Sequence, residues 1–378
     1  MSSKRALDDT VEEEVKDNTT SGVKKLRISE NQNTITKEEV ALYDRQIRLW
    51  GLDAQQRMRN AKVLIAGVNG LTNEICKNIV LAGVGMVTVI DPGMAKAEDL
   101  GAQFFLREDD IAKSKAEAAR RQMHELNPRV NLKSIVADIT SQSDDFLAEF
   151  NIVCLSGYDR KTLVRINNVC RAKRIKFWAT GCAGFHGYIF SDLVEHTYTT
   201  TEQKSAEVKE TKTHTTNFVS LETVLSTPWE KLESLRKREV KNTQHRDYFG
   251  FGLLWHFWEA KGRLPDPNIK TDADELVTMK DAYMAGIKAD PSLLPEEIVR
   301  AFAQTARAEI SPVCAVVGGV VGADILKVLG GKGHVINNFY VYDAFEPGGT
   351  IYTLPPPAFA KLKEKAPVDA VESFVIDD

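Results

Sequence analysis

The sequence predicts a doubly wound, mostly parallel α/β sheet, interrupted by an inserted and mainly helical block. Three observations carry this. Residues 62–66 read as an apolar strand, 72–81 as a helix ending at Gly83, and 86–91 as a second strand closing on Asp91, with the turn Gly67-Val68-Asn69-Gly70-Leu71-Thr72-Asn73 between the first two. Strand, glycine turn, helix and strand ending in an acid is the arrangement that holds a nucleotide. Strands and helices then alternate as far as about residue 193, which argues for parallel pairing. Composition changes near His196, and sheet-type residues return only near the end of the chain, so the block between interrupts one α/β domain rather than following it.

The chain has 378 residues, enough for one large core or two smaller ones, and its net charge of −4 indicates no nucleic-acid or membrane surface. No apolar run is read as approaching the ~20 residues that span a bilayer, and no apolar signal region opens the chain. The five cysteines, Cys76, Cys154, Cys170, Cys182 and Cys314, form no C-x-x-C pair, so neither a zinc knuckle nor a redox couple is expected. Cys154 and Cys170 read as small core residues of an intracellular protein.

In chain order, residues 1–35 are polar and charge-rich and are expected to be a disordered tail. Lys4-Arg5 and Lys24-Lys25-Leu26-Arg27 within it resemble a two-part nuclear import signal, or are solvated charge. Thr36-Lys37-Glu38-Glu39 is a capping box, opening a helix with Val40, Tyr43 and Ile47 on one side. Later helices are expected over 113–126, 162–172, 272–289, 295–307 and 313–329, and strands over 132–137, 152–156, 177–180, 339–343 and 350–354. Residues 187–193 read as an edge or hairpin strand, 197–214 as a mobile Thr/Lys/Glu-rich loop, and 221–262 as helical with an aromatic core cluster. The expected organisation is therefore an α/β domain built from 36–196 and 296–355, an insert at 197–295, and a tail at 356–378.

The glycine turn is damaged as a phosphate loop. Against G-x-G-x-x-G, Gly67 keeps the first place, Asn69 takes the place where a missing side chain lets backbone approach phosphate, Thr72 takes the last, and Gly70 is one position off. An impaired nucleotide site and a simple tight turn both fit these residues.

Tyr43-Asp44-Arg45-Gln46-Ile47-Arg48-Leu49-Trp50-Gly51, Gly101-Ala102-Gln103-Phe104-Phe105-Leu106 and Ser311-Pro312-Val313-Cys314-Ala315-Val316-Val317-Gly318-Gly319 resemble segments of the activating enzymes of ubiquitin-like proteins. Behind these stand the bacterial adenylating enzymes of ThiF/MoeB type. The resemblance covers residues 42–196 and 293–354 and is strongest to the smaller subunit of the SUMO-activating branch. It implies a Rossmann-like adenylation fold and a heterodimer. One half binds ATP and Mg²⁺, adenylates the modifier's C-terminus and takes it as a thioester, while the other half is a degenerate copy.

Several departures mark this chain as the degenerate half. Gly93 stands where the active copy has a second acid. Aligned on Gln103, Asp99 and Ala102 replace the N-x-x-R residues, so the phosphate-facing arginine is missing. Tyr158 aligns with the metal-associated aspartate, with Asp159 one residue away. Asp91 and Lys115 keep the ribose acid and the adenylation lysine as remnants of the fold. No functional nucleotide or metal site is expected here, so ATP and Mg²⁺ fall mainly to the large partner subunit. The insert contains no cysteine, and nothing marks Cys182 as a reactive thiolate. Arg45 matches the arginine that the family supplies in trans to the partner's ATP phosphates, where a planar guanidinium binds oxygens in pairs; a surface cation is the plainer reading. Arg48 is a weaker candidate and can pair with Asp44. SUMO, and the SUMO-conjugating enzyme through the complex, are the further partners implied, with the nucleus as location. Two other readings remain: a stand-alone adenylating or dinucleotide enzyme, and a scaffold without catalytic involvement. Pairing is expected through the glycine-rich helix 313–329 and the segment 103–106. The ending Ser373-Phe374-Val375-Ile376-Asp377-Asp378 resembles segments that add a strand to SUMO, or is a plain tail.

Overall fold

The computed structural model describes residues 35–203, 209–229, 245–346 and 348–354. The basic clusters at 4–27 and the ending at 373–378 lie outside them. Ten strands are described: β1 (Lys62–Ala66), β2 (Met86–Ile90), β3 (Asn131–Ile135), β4 (Ile152–Ser156), β5 (Lys176–Ala183), β6 (His186–Asp192), β7 (Glu195–Gln203), β8 (Lys209–Asn217), β9 (Phe339–Asp343) and β10 (Gly348–Tyr352). The helices are α1 (Lys37–Leu42), α2 (Asp44–Trp50), α3 (Leu52–Asn60), α4 (Gly70–Leu81), α5 (Lys115–Leu126), α6 (Asp144–Leu147), α7 (Arg160–Ala172), α8 (Leu221–Ser226), α9 (His245–Lys261), α10 (Lys270–Gly286), α11 (Glu296–Thr305) and α12 (Ser311–Gly330).

Eight strands form one sheet in the order β10-β9-β6-β5-β4-β1-β2-β3. The run from β5 through β4, β1 and β2 to β3 is parallel, whereas β6, β9 and β10 add antiparallel. Period-two alternation sends each strand's side chains to opposite faces. Val63, Ile65, Val87, Val89, Ile152, Cys154 and Trp178 meet α4, α5 and α12 in one core. Leu64, Ala66, Val153, Leu155, Phe177 and Phe190 face α7 and α9 to α11 in the other. Both faces are thus covered, as a parallel sheet requires.

Several expectations are corrected. The strand at 186–192, expected as an edge or hairpin strand, does form a hairpin with β5, Ala183 opposite His186, but it is interior rather than an edge because β9 pairs on its other side. Of the stretch expected as a mobile loop at 197–214, residues 197–203 and 209–214 lie in a two-stranded ribbon, β7 against β8. Its alternating threonines pair across the strands, Thr197 with Thr215 at 3.0 Å. Tyr198 stacks on His196 and His214 and bonds His334 Nδ1 at 2.9 Å. β-branched residues favour this pleated setting, and a polar strand shows no apolar signal. The helix expected through 221–262 is two helices, α8 and α9, with 230–244 outside the described residues. The aromatic cluster of α9 packs on the sheet, where Tyr188 meets Phe251 at 4.9 Å and Trp255 at 5.1 Å. The insert's helices and the sheet therefore share one core. Near the N-terminus the capping box at Thr36 is present, but the helix breaks at Tyr43, whose ring is buried and whose hydroxyl accepts from Asn127 Nδ2 at 2.8 Å.

Contrary to the sequence reading, one helix among the described residues, the 20-residue α12, is long and apolar enough to cross a membrane. Half of it is buried in this fold. Val317, Val321 and Ile325 enter the core, and the buried Asp324 accepts from Ile336 N at 2.9 Å and pairs with Lys327. These are the features of a core helix.

Candidate functional site

The glycine turn between β1 and α4 lies where β1 separates β2 from β4, at the carboxyl ends of the parallel strands, which is where such sheets bind ligands. Gly67 has φ +86°, and a Cβ there would sit 2.1 Å from Ser156 O, so only glycine fits. Asn69 caps α4: its side chain accepts from Thr72 N at 2.9 Å, and Thr72 Oγ1 accepts from Asn69 N at 2.9 Å. Thr72 Oγ1 also donates to Gly67 O at 2.8 Å, and Asn69 Nδ2 donates to Ser156 Oγ at 2.8 Å. The substitutions that read as damage thus close the turn upon itself. Side chains accept from amides that a phosphate would otherwise claim.

A further side chain completes the closure. Glu309, just before α12, accepts from Gly70 N at 2.9 Å, so a carboxylate occupies the positive end of α4. Burial pushes the Glu309 carboxyl above the ordinary glutamate range, opposed by bonds from the Gly70 and Leu71 amides and by Lys115. Sequence reasoning missed Glu309, because no spacing rule links residues 239 apart.

The remaining candidates are also turned to structural use. Asp91 accepts from Val68 N at 2.7 Å and Gly93 N at 2.6 Å, which ties the turn to the end of β2. Lys115 Nζ lies 3.8 Å from Asp91 Oδ2. Tyr158 packs over Gly67, within 3.4 Å of the position a Cβ would take there, and burial raises its phenol pKa. Asp159 caps α7, accepting from Thr162 N at 3.0 Å and Thr162 Oγ1 at 2.7 Å. Asp99 accepts from Lys96 N at 2.8 Å and Gln103 Nε2 at 3.0 Å, and Ala102 lies against Gly70. Cys182 carries a pKa raised well above an ordinary thiol's by its hydrogen bond with Cys314, then by burial, the opposite of an activated nucleophile.

Arg45 stands apart from this cluster. It lies exposed on α2, and among the described residues no hydrogen bond or ion pair holds it. Arg48, one turn on, pairs with Asp44 at 3.0 Å. Within the expected pairing surface, two glycines have a role inside the chain. Gly318 and Gly322 serve packing within the chain, since a Cβ at 318 would lie 2.8 Å from Leu71 O and one at 322 would lie 2.8 Å from Asn78 Cβ. The outward side of α12 carries Ala315, Val316, Gly319 and Ala323 instead. Of the Phe104-Phe105-Leu106 run, only Phe104 is exposed.

The doubly wound sheet, with a glycine turn at its switch point, defines the class. The chain belongs to the ThiF family, whose profile matches residues 43–360. Within that family it is similar to SUMO-activating enzyme subunit 1. The Xenopus tropicalis protein is 34% identical over 347 residues, spanning 86% of this chain and 98% of its own length. The Homo sapiens protein is 35% identical over 340 residues, spanning 85% and 97%. A crystal structure of PaaA shares the fold at a TM-score of 0.52 and 15% identity, covering 86% of this chain and 85% of that one.

The closed turn has a pH signature. Glu309 has a folded pKa raised above its ordinary value of 4.5. Its contribution to stability is therefore complete below that value and is lost as pH rises through the raised one. Glu309→Gln removes the titration. The stability of wild type relative to the variant should fall as pH is raised from about 4 to about 7, measured by urea unfolding. A difference that grows with pH would contradict the burial described here.

Proposed function

We propose that this chain is the non-thioester-forming subunit of a heterodimeric SUMO-activating enzyme. It completes the assembly and supplies Arg45 in trans to an ATP site on the large partner subunit. The observation that carries this is the closure of its own turn: Asn69, Thr72, Asp91 and Glu309 take the amides that would hold phosphate. The exposed guanidinium of Arg45, unpaired among the described residues, supports the second half of the reading. ATP and Mg²⁺ are then held by the partner, as are adenylation of the SUMO C-terminus and the thioester. The SUMO-conjugating enzyme meets this chain through the complex, and the assembly works in the nucleus. The exposed face of α12 together with Phe104 is the surface offered to the large subunit, through an interface of more than ~2,000 Å².

The test is ATP–pyrophosphate exchange. The purified chain alone should show none, and adding the large subunit and SUMO should produce it. Exchange by the single chain at the rate of the pair would replace this reading with that of a stand-alone adenylating enzyme.

A further inference from the structure

His186, Asp247 and Asp343 come from three elements: the start of β6, the first turn of α9 and the end of β9. Residues 186 and 343 are cross-strand partners, and α9 lays Asp247 beside them. One potential donor atom from each lies within 4.8 Å of the others. His186 Nδ1 is 3.2 Å from Asp247 Oδ1 and 3.8 Å from Asp343 Oδ1. The residues are only 6%, 2% and 7% exposed. Yet, among the described residues, His186 Nδ1 and Asp247 Oδ1 have no well-aligned hydrogen-bond partner. Their mutual geometry is not that of a hydrogen bond, and Arg246 Nε, at 3.9 Å, is too far from Asp247 Oδ1 to supply one. Leaving such atoms buried and unpartnered costs about 1–3 kcal/mol each, and native folds rarely leave two in contact.

We propose that His186 Nδ1, Asp247 Oδ1 and Asp343 Oδ1 bind a divalent transition-metal ion of the zinc type, which clamps α9 to β6 and β9. One imidazole and two carboxylates, without thiolate, suit Zn²⁺, Co²⁺ or Mn²⁺. An ion about 2.0–2.2 Å from tetrahedral donors spaces them about 3.3 Å apart. The separations of 3.2 and 3.8 Å are near this, the third lies within 4.8 Å, and side-chain rotations close the rest. The surroundings hold the ligands in place. Arg246 donates to the outer oxygen of Asp343 at 2.7 Å, and Phe345 N donates to its inner oxygen at 2.9 Å. The imidazole stacks on Phe302 with centroids 4.7 Å apart. Such outer contacts fix ligand orientation in metal sites. Charge also balances: the two carboxylates, Arg246 and Glu346, which lies 3.8 Å from Arg246, together leave two negative charges for a divalent ion to meet.

The experiment uses the full-length chain stripped of metal and titrated with Zn²⁺ by calorimetry and with Co²⁺ by visible absorption. One equivalent of each should bind, and the Co²⁺ spectrum should show d–d bands without thiolate charge transfer. Zinc should raise the melting temperature. His186→Gln and Asp247→Asn should weaken binding by at least about 10- to 100-fold, the loss seen when even outer-shell partners are removed, and should abolish the thermal shift. If these variants do not fold, the Co²⁺ spectrum of the wild type decides alone. No saturable binding, a thiolate charge-transfer band, or unchanged affinity in folded variants would overturn the proposal and leave an unmetallated ion cluster.

Discussion

On the proposed function, Arg45→Ala is expected to slow SUMO-dependent ATP–pyrophosphate exchange by the reconstituted pair while leaving the pair assembled. The side chain is exposed and unpaired among the described residues, so its removal takes little from the fold. Its proposed task is electrostatic and is performed on the partner's ATP phosphates, as an arginine finger acts. One charge-assisted contact is worth about 1.5–3 kcal/mol. Made mainly in the transition state, that is about 10- to 150-fold in rate. Arg45→Lys should recover part of the loss, because an ammonium keeps charge but not the planar fork. Size-exclusion chromatography checks assembly beside the exchange assay. Unchanged exchange in a well-assembled Ala variant would make Arg45 a surface cation and this chain a scaffold.

Gly67→Ala destabilises the isolated chain by about 2–5 kcal/mol. A left-handed backbone costs a non-glycine residue about 1–2 kcal/mol, and overpacking adds about 1–3 kcal/mol. The atom that a methyl group would strike is Ser156 O, a backbone oxygen of β4 that cannot swing aside, at 2.1 Å. Gly319→Ala is the contrast. It lies in α12 with nothing within 4 Å of an added Cβ, so alanine should be neutral or stabilising by up to about 1 kcal/mol. Urea unfolding of both variants measures the difference. A Gly67→Ala chain as stable as wild type would mean that the turn is not held against β4. The first glycine is thus required by its packing against β4.

The central strands of the parallel half were readable because they are apolar runs between turn signals: residues 62–66 and 152–156 fall where the periodicity puts them. The ribbon at 195–217 was not, because its pairing rests on threonines and stacked rings that carry no hydrophobic alternation. The position of β6 inside the sheet was hidden for another reason. It depends on β9 arriving from about 150 residues later, a tertiary fact that no local pattern records. The site divides the same way. The departures at Asn69, Gly93, Ala102 and Tyr158 were visible one by one. Their shared effect was not visible until Asn69 and Thr72 were seen capping each other and Glu309 closing the helix end from a distant segment. The glycines of α12 misled in one respect, since close approach was expected between subunits and Gly318 and Gly322 give it to α4 within the chain. His186 attracted no notice in the sequence, since its acidic neighbours come from α9 and β9.

The central claim is that this chain's own nucleotide site is closed and that the pair works through one site only. Equilibrium binding of ATP·Mg²⁺ tests it most directly, with the isolated chain and the reconstituted heterodimer titrated side by side. The account predicts no saturable binding by the chain alone and one ATP per heterodimer, with a photoreactive analogue labelling the large subunit. Two ATP per heterodimer, or binding by the isolated chain as tight as by the pair, would contradict it.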